Sequence, residues 1–481
     1  MVGLTPRIHP LVASLLAGRD LLEDIVSRFG SPVNIVFPDV FSENVGAFRA
    51  LLDEYALGYR ICYAHKVNQS RSLVRAALRE RICVDVASSG ELANALACGF
   101  DSDRVEVTGP KGEAFLRSLV GHEFTINIDN LWELEQVACL AASLPGSHRP
   151  PVLLRMSGFG PPSLDGPSRI SRFGIPLSRS GRALDLVRQR PDALDLRGFS
   201  FHLDTNDVRD KVLAVDACLT LVEQAHRLGL APRVLNVGGG FRQVFIADPD
   251  EFDEYLQALK RGLAGRENSL SWAGNTFGYS YDGSTVRGIP VFHKYANTTL
   301  GPAFLRDLLD SPLEGHEGRS VAQVVRDNLM ELWVEPGKAL VDQAGLTLAS
   351  VEFVKEASDG SVLVNLDISR DTITPADQEV MLDPVIVYRG QRQAYRDVPC
   401  GVYFAGNLCL ERDMVFNHKT WLDRLPLPGD FVVFPNTAGY QMDLSASQAL
   451  MKPRPPRLAA VRNGAGFVVC PDAEYGVRGV R

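Results

Sequence analysis

The sequence predicts an α/β plus β protein: a TIM-like (β/α)8 barrel followed by a C-terminal β domain. Three observations carry this. Short apolar runs alternate with amphipathic helical stretches between about residues 60 and 335, the pattern of a parallel sheet that closes on itself. Ionisable residues and glycines gather where those runs end, as they do on the active rim of such a barrel. After Gly337 the texture changes to short strands separated by turns, with little helix.

The elements follow in order. The first barrel strand is predicted over 61–66, and the helix after it over 70–81, with Leu73, Val74, Ala77 and Leu78 sharing one face. Strands are then predicted over 82–86, 104–107, 125–128, 152–156, 196–202, 234–237 and 331–334. The helices between them are predicted over 90–98, 113–120, 131–144, 181–190 and 208–228. A Gly/Pro/Ser-rich loop, 158–171, delays the helix after the fifth strand. The stretch from Gly240 to Glu335 is far longer than one helix and two loops require. It contains Trp272, Phe277, Tyr279, Tyr281, Phe292 and Tyr295, which suits either a surface insertion or a lid over the site. Further strands are predicted over 346–354, 361–368, 384–388, 401–405, 430–434 and 458–461. The expected division is a segment 1–40 that joins the β domain, a barrel over 41–345 with an insertion at about 245–328, and a β domain over 346–481.

Composition narrows the class. A chain of 481 residues suits two domains. Charged residues are 22% and apolar residues 45%, as in soluble enzymes and unlike disordered chains. A net charge of -8 without a basic tract argues against a nucleic-acid partner. The first ten residues lack the layout of a signal peptide, and no apolar stretch approaches membrane-spanning length. A cytoplasmic protein with no membrane partner is therefore expected. The eight cysteines are scattered without a CxxC pair. They read as buried thiols in a reducing compartment, with neither a zinc site nor a disulfide frame, and no metal is expected.

The strand exits present Lys66, Asp85, Gly109-Pro110-Lys111, Asp129, Arg155, His202, Gly238-Gly239-Gly240 and Glu335-Pro336-Gly337-Lys338. Singly, each has a plain account. Asp85 and Asp129 suit helix N-caps, His202 suits a satisfied core histidine, and the glycines suit a tight turn. Together on one rim they suit a site. A Lys at a strand end can form an imine with a carbonyl group. Consecutive glycines can offer backbone N–H groups to a phosphate. With a His able to stack on a ring and an acid able to pair with a ring nitrogen, the inventory fits pyridoxal 5'-phosphate. The glycines do not form GxGxxG and no Walker motif follows, which disfavours a dinucleotide or ATP.

These residues also carry a resemblance. The segments Tyr63-Ala64-His65-Lys66-Val67-Asn68, Asp85-Val86-Ala87-Ser88-Ser89-Gly90-Glu91-Leu92, Ser171-Arg172-Phe173-Gly174, His202-Leu203-Asp204-Thr205, Gly238–Gly240, Glu335–Lys338, Cys409–Asp413 and Thr437-Ala438-Gly439-Tyr440 run in order over nearly the whole chain. The set resembles the pyridoxal-phosphate decarboxylases of the alanine-racemase-like fold (fold type III), the group of diaminopimelate, ornithine and arginine decarboxylases.

The resemblance implies that Lys66 holds the cofactor as a Schiff base, His202 stacks on the pyridine face, and Glu335 keeps the ring nitrogen protonated. Gly238, Gly239, Gly240, Gly337, Lys338, Thr205 and Tyr440 would bind the cofactor, most of them at its phosphate. Asp85 and Arg155 would form a charge network around Lys66. Cys409 would enter the partner subunit's site and protonate the quinonoid carbon, so the expected assembly is a head-to-tail homodimer with shared sites. Arg172, Lys338, Leu410, Asp413 and Tyr440 would meet the amino-acid substrate. A buried structural thiol is the plain alternative for Cys409.

Three positions depart from the family pattern. Leu410 stands where the diaminopimelate enzymes place a Glu, Lys338 replaces Arg, and Asp204-Thr205 replaces Gly-Ser. An apolar Leu410 cannot bind a distal ammonium, and Lys offers a point charge where Arg offers a fork. The expected substrate is accordingly a less usual amino acid or an amino-acid conjugate. The leading expectation is decarboxylation at Cα. Racemisation in the same site and a non-catalytic regulatory relative are the alternatives. Glu335 and Cys409 point away from the first, and survival of Lys66, the glycines and Tyr440 away from the second.

Overall fold

The computed structural model describes residues 2–144, 149–160, 171–205, 207–266, 269–292, 297–375, 380–391, 395, 397–444 and 446–477, with 397 and 398 as backbone. Most of the loop 158–171, and Tyr295, lie outside the described residues. The chain divides into two compact units. One comprises Ser42–Phe241 and Leu300–Leu340; the other comprises Met1–Phe41, Arg242–Thr299 and Val341–Arg481.

The first unit is a closed barrel of eight parallel strands: Gly58–Ala64, Cys83–Val86, Val105–Val107, Thr125–Ile128, Pro151–Ser157, Asp195–Ser200, Val234–Asn236 and Glu331–Val334. The last strand pairs with the first, Trp333 opposite Arg60, and this closes the ring. Helices cover the outer face, so the strands are buried on both sides and read as continuous apolar runs. Toward the N-terminal ends of the strands, Cys62, Leu153, Val234 and Trp333 fill the interior. A two-residue strand, Ile175–Pro176, adds to the fifth strand.

Side-chain caps start the helices and settle two open readings. Ser88 Oγ receives the Glu91 N–H at 3.1 Å and Asn130 Oδ1 the Glu133 N–H at 2.9 Å. These residues begin the helices Ser89–Ala97 and Leu131–Ala142. Asp85 and Asp129 are therefore not the caps.

In the second unit, Val33–Val36 lies between Gly345–Glu356, to which it is antiparallel, and Arg457–Asn463, to which it is parallel. The sheet extends through Val362–Leu366, Asp397–Ala405 and Thr420–Arg424 on one side and Gly466–Pro471 on the other. Val351, Val364, Val402, Phe404, Phe416 and Phe434 lie in its core. The helices Pro10–Ala17 and Arg19–Phe29 precede Val33–Val36.

Two expectations need correction. The insertion does not stay with the barrel over its whole length, because 242–299 clusters with the β unit and only 300–340 with the barrel. Three of its aromatic residues are core: Phe277, Tyr279 and Phe292 are buried with Leu4, Phe245, Phe252, Tyr255 and Leu382, whereas Tyr281 is exposed. Ring centroids are 5.6 Å apart for Phe277 and Phe292, and 5.3 Å apart for Trp272 and Tyr403. Burial of these three rings accounts for much of the aromatic richness. Nor are the cysteines uniformly buried: Cys139 and Cys409 are exposed, while Cys62, Cys218 and Cys470 are buried. Among the described residues no helix is long and apolar enough to cross a membrane.

Candidate active site

Lys66 sits in a single helical turn, His65–Val67, immediately after the first barrel strand. The turn fits closely against Gly337, where a Cβ would stand 3.2 Å from that of Ala64 and 3.4 Å from that of Val67. Lys66 lines a small cavity with Arg155, His202 and Glu335, together with Thr108, Asn127 and Ser200. Four of the predicted residues thus converge at one end of the barrel.

Asp85, one residue from the end of the second strand, is 1% exposed. Among the described residues neither of its carboxylate oxygens has a hydrogen-bond partner. Burial pushes this carboxyl well above the usual carboxylate range; the charge of Glu335 adds to the effect, and Lys66 opposes it. Arg155 Nη1 stands 3.7 Å from Asp129 Oδ1. Its guanidinium lies 4.7 Å from the Phe173 ring centroid, and that of Arg172 lies 4.4 Å from the same centroid. Phe173 therefore contacts two cations through its ring.

The imidazole of His202 is held by the glycine turn, whose Gly239 N–H donates to Nδ1 at 3.2 Å. That bond leaves the proton of the neutral ring on Nε2. Burial drives the His202 pKa well below its usual value, and Lys66, Arg155, Lys211 and Lys338 push the same way. The site holds a neutral, oriented ring.

Space explains the three glycines. A Cβ at Gly238 would collide with the Phe201 carbonyl oxygen, and one at Gly240 with that of Leu203. At Gly239 it would stand 2.7 Å from the Glu335 carbonyl oxygen. The turn is less open than three consecutive N–H groups suggest, because Gly238 N–H donates to Asn236 Oδ1 at 2.8 Å and Gly239 N–H to His202. Behind it Lys211, fully buried, donates to the carbonyl oxygens of Val237 at 3.1 Å and Gly239 at 2.7 Å. Burial lowers the Lys211 pKa to about 8, against the pull of Glu335 and Asp204.

Several of the residues at the strand exits have partners within the chain. The Thr205 hydroxyl donates to Asp210 Oδ2 at 2.8 Å and accepts the Asp207 N–H at 3.1 Å, shaping the turn into the helix Val208–Arg227. Lys111 is a buried structural lysine, 3.0 Å from Glu133 Oε2 and donating to the Asn127 carbonyl oxygen at 2.7 Å. Lys338 Nζ pairs with Asp204 Oδ1 at 3.4 Å.

Cys409, Leu410, Asp413 and Tyr440 belong to the β unit. Cys409 and Leu410 are exposed. Asp413 is 3% exposed; its Oδ1 accepts the Arg370 N–H at 2.8 Å and its Oδ2 the Leu408 N–H at 2.6 Å. It clasps the loop that carries Cys409. Tyr440 adopts a left-handed backbone, φ 67°.

A polar network within the barrel escaped sequence reasoning. Asn236 Nδ2 donates to Glu335 Oε1 at 2.7 Å and to Glu106 Oε1 and Oε2 at 2.9 and 3.1 Å. Asn127 Nδ2 donates to Glu106 Oε1 at 2.9 Å, and Ser200 Oγ to Asn127 Oδ1 at 2.6 Å. The available signal was a polar residue inside a strand apolar on both faces.

Fold and site define a pyridoxal-phosphate carboxy-lyase of the alanine-racemase-like type, and the comparisons agree. A family described as pyridoxal-dependent decarboxylase, pyridoxal binding domain, matches residues 42–268. The uncharacterised protein y4yA of Sinorhizobium fredii is 30% identical over 469 residues, 96% of this chain and 95% of that protein. The chain belongs to the pyridoxal-dependent decarboxylases, whose cofactor is pyridoxal 5'-phosphate. Diaminopimelate decarboxylase of Bacillus subtilis is 24% identical, with 94% of this chain and 91% of that protein covered. The crystal structure of M. jannaschii diaminopimelate decarboxylase in co-complex with L-lysine shares the fold, with a TM-score of 0.68 and 17% identity over 100% of this chain and 99% of that one. The residues fit the cofactor: Asp85 offers unmatched buried oxygens near Lys66, and the glycine turn leaves no room for any side chain.

Proposed function

We propose that this protein removes the α-carboxylate of an amino acid or amino-acid conjugate, with Lys66 tethering pyridoxal 5'-phosphate through its amine. The observation that supports this most is the convergence of Lys66, Arg155, His202 and Glu335 on one cavity at the barrel's end. When bound, the cofactor supplies an electron-withdrawing ring that drains charge from the bond to the departing CO2. The neutral imidazole of His202 stacks on that ring, and Glu335 holds a proton at its nitrogen. The glycine turn, Gly337, Lys338 and Tyr440 bind the phosphate. Asp85 and Arg155 set the charge around the Lys66 amine.

In a head-to-tail homodimer each β unit delivers the Cys409 thiol to the other subunit's barrel, where it returns a proton to the carbon that has lost CO2. The exposure of Cys409 on a loop clasped by Asp413 supports that role. The exposed, apolar Leu410 favours a substrate whose far end carries no ammonium group, and Arg172 suits an acidic group there.

The test is a panel of amino acids supplied to cofactor-loaded protein, with CO2 release and product chirality both measured. CO2 release by the wild type, lost with the visible absorbance band in Lys66→Ala, is expected. A racemised product without CO2 would overturn the reading.

A further inference from the structure

Glu106 occupies the middle of the third barrel strand and is 2% exposed. A buried carboxyl is retained only when neighbouring donors or a proton compensate it. Here the donors are amides: Asn127 from the fourth strand at 2.9 Å and Asn236 from the seventh at 2.9 and 3.1 Å. The orientation of Asn236 is fixed, because its Oδ1 must accept the Gly238 N–H at 2.8 Å. Its single amide nitrogen therefore faces two carboxyls at once, Glu106 and, at 2.7 Å, Glu335 Oε1.

Among the described residues, the titratable groups that act most on Glu106 are Glu335, Asp85 and the Cys62 thiol. Burial raises the Glu106 pKa well above the carboxylate range. Glu335 and then Asp85 raise it further, while the Asn127 and Cys62 hydrogen bonds oppose the rise. Neighbouring buried carboxyls do not all ionise at neutral pH; one or more retains a proton.

We propose that Glu106 is a positioning residue for the cofactor: clamped by Asn127 and Asn236, it orients the amide that aims Glu335 and places its own carboxyl on the same amide nitrogen. The inference rests on the proposal that Glu335 faces the pyridine nitrogen. Glu106 itself touches neither cofactor nor substrate; it acts through Asn236. When Glu106 ionises, the second charge raises the proton affinity of whatever Glu335 faces, and the ring reports it.

The experiment is a pH titration of the visible absorbance band of the cofactor-loaded protein, with folding followed by circular dichroism. The wild type is expected to show an alkaline step that Glu106→Gln, which cannot ionise, lacks while still loading cofactor. Glu106→Leu takes the acceptor from the Asn127 amide and leaves Asn236 with Glu335 alone, and is expected to bind cofactor on the order of tenfold more weakly. An unchanged alkaline step in Glu106→Gln overturns the inference, even if Glu106→Leu does not fold. A folded wild type that develops no visible band with added cofactor sinks the cofactor assignment itself, and this inference with it. A normal band in the wild type with an unaltered titration in Glu106→Gln sinks the inference alone.

Discussion

Lys338 Nζ lies 3.4 Å from Asp204 Oδ1, so two of the chain's departures from its family's pattern form one ion pair. The lysine that replaces a guanidinium meets the carboxylate that replaces a glycine. Both groups are partly exposed, with side chains 25% and 40% accessible, so the pair contributes little to stability. Its place beside His202 and the glycine turn gives it a different use, neutralising the charge that Asp204 introduces next to the turn proposed to hold the phosphate. Lys338→Ala is expected to weaken cofactor binding and Asp204→Ala to strengthen it, the two effects combining non-additively with a coupling of about 0.5–1 kcal/mol in a double-mutant cycle. Strict additivity would show that the two changes are independent.

Asp85 sets a second expectation, in the direction of pH. Its folded pKa is raised above its ordinary value of 3.8, so the folded protein binds a proton that the unfolded chain has released. The contribution of Asp85 is therefore favourable at low pH and is lost as pH rises through the folded pKa. Asp85→Asn removes that loss. The variant without cofactor is expected to be more stable than wild type at neutral pH, with the gap closing toward pH 4, while its cofactor affinity falls. Chemical denaturation across the acid range checks the first effect and equilibrium titration with cofactor the second. A variant less stable at neutral pH would show that Asp85 is compensated by something other than a proton.

Phe292 tests the aromatic segment. It packs against Phe252 with centroids 5.9 Å apart and against Phe277, in a core shared with Leu4 and Leu382. Phe292→Ala is expected to cost about 3–5 kcal/mol in urea denaturation. Intact stability with impaired turnover would restore a lid.

The barrel was legible because a parallel sheet covered by helices leaves its apolar runs unbroken. Thr125–Ile128 and Glu331–Val334 match the predicted bounds, and the remaining strands shift by a few residues. The convergence of Lys66, Arg155, His202 and Glu335 was legible for a related reason: each lies at or near the end of such a run. Glu106 and Asn236 were not, since a single polar residue in a three-residue strand resembles ordinary alternation. Ownership of 242–299 was equally hidden, because hydrophobic periodicity says that a helix such as Pro249–Leu263 has a buried face but not which core receives it. Thr420–Arg424 was missed as a strand because its alternation is short and mixed with charge, and Gly466–Pro471 because a four-residue apolar run carries no alternation.

The placement of Val33–Val36 between Gly345–Glu356 and Arg457–Asn463 has a consequence during synthesis. Its neighbours leave the ribosome only after most of the polypeptide has been made, so the early strand must wait with unmatched edges while translation proceeds. Nascent chains of this protein are thus exposed to premature association over that interval, and premature stop codons anywhere before Arg457 leave the waiting strand without at least one of its two flanks.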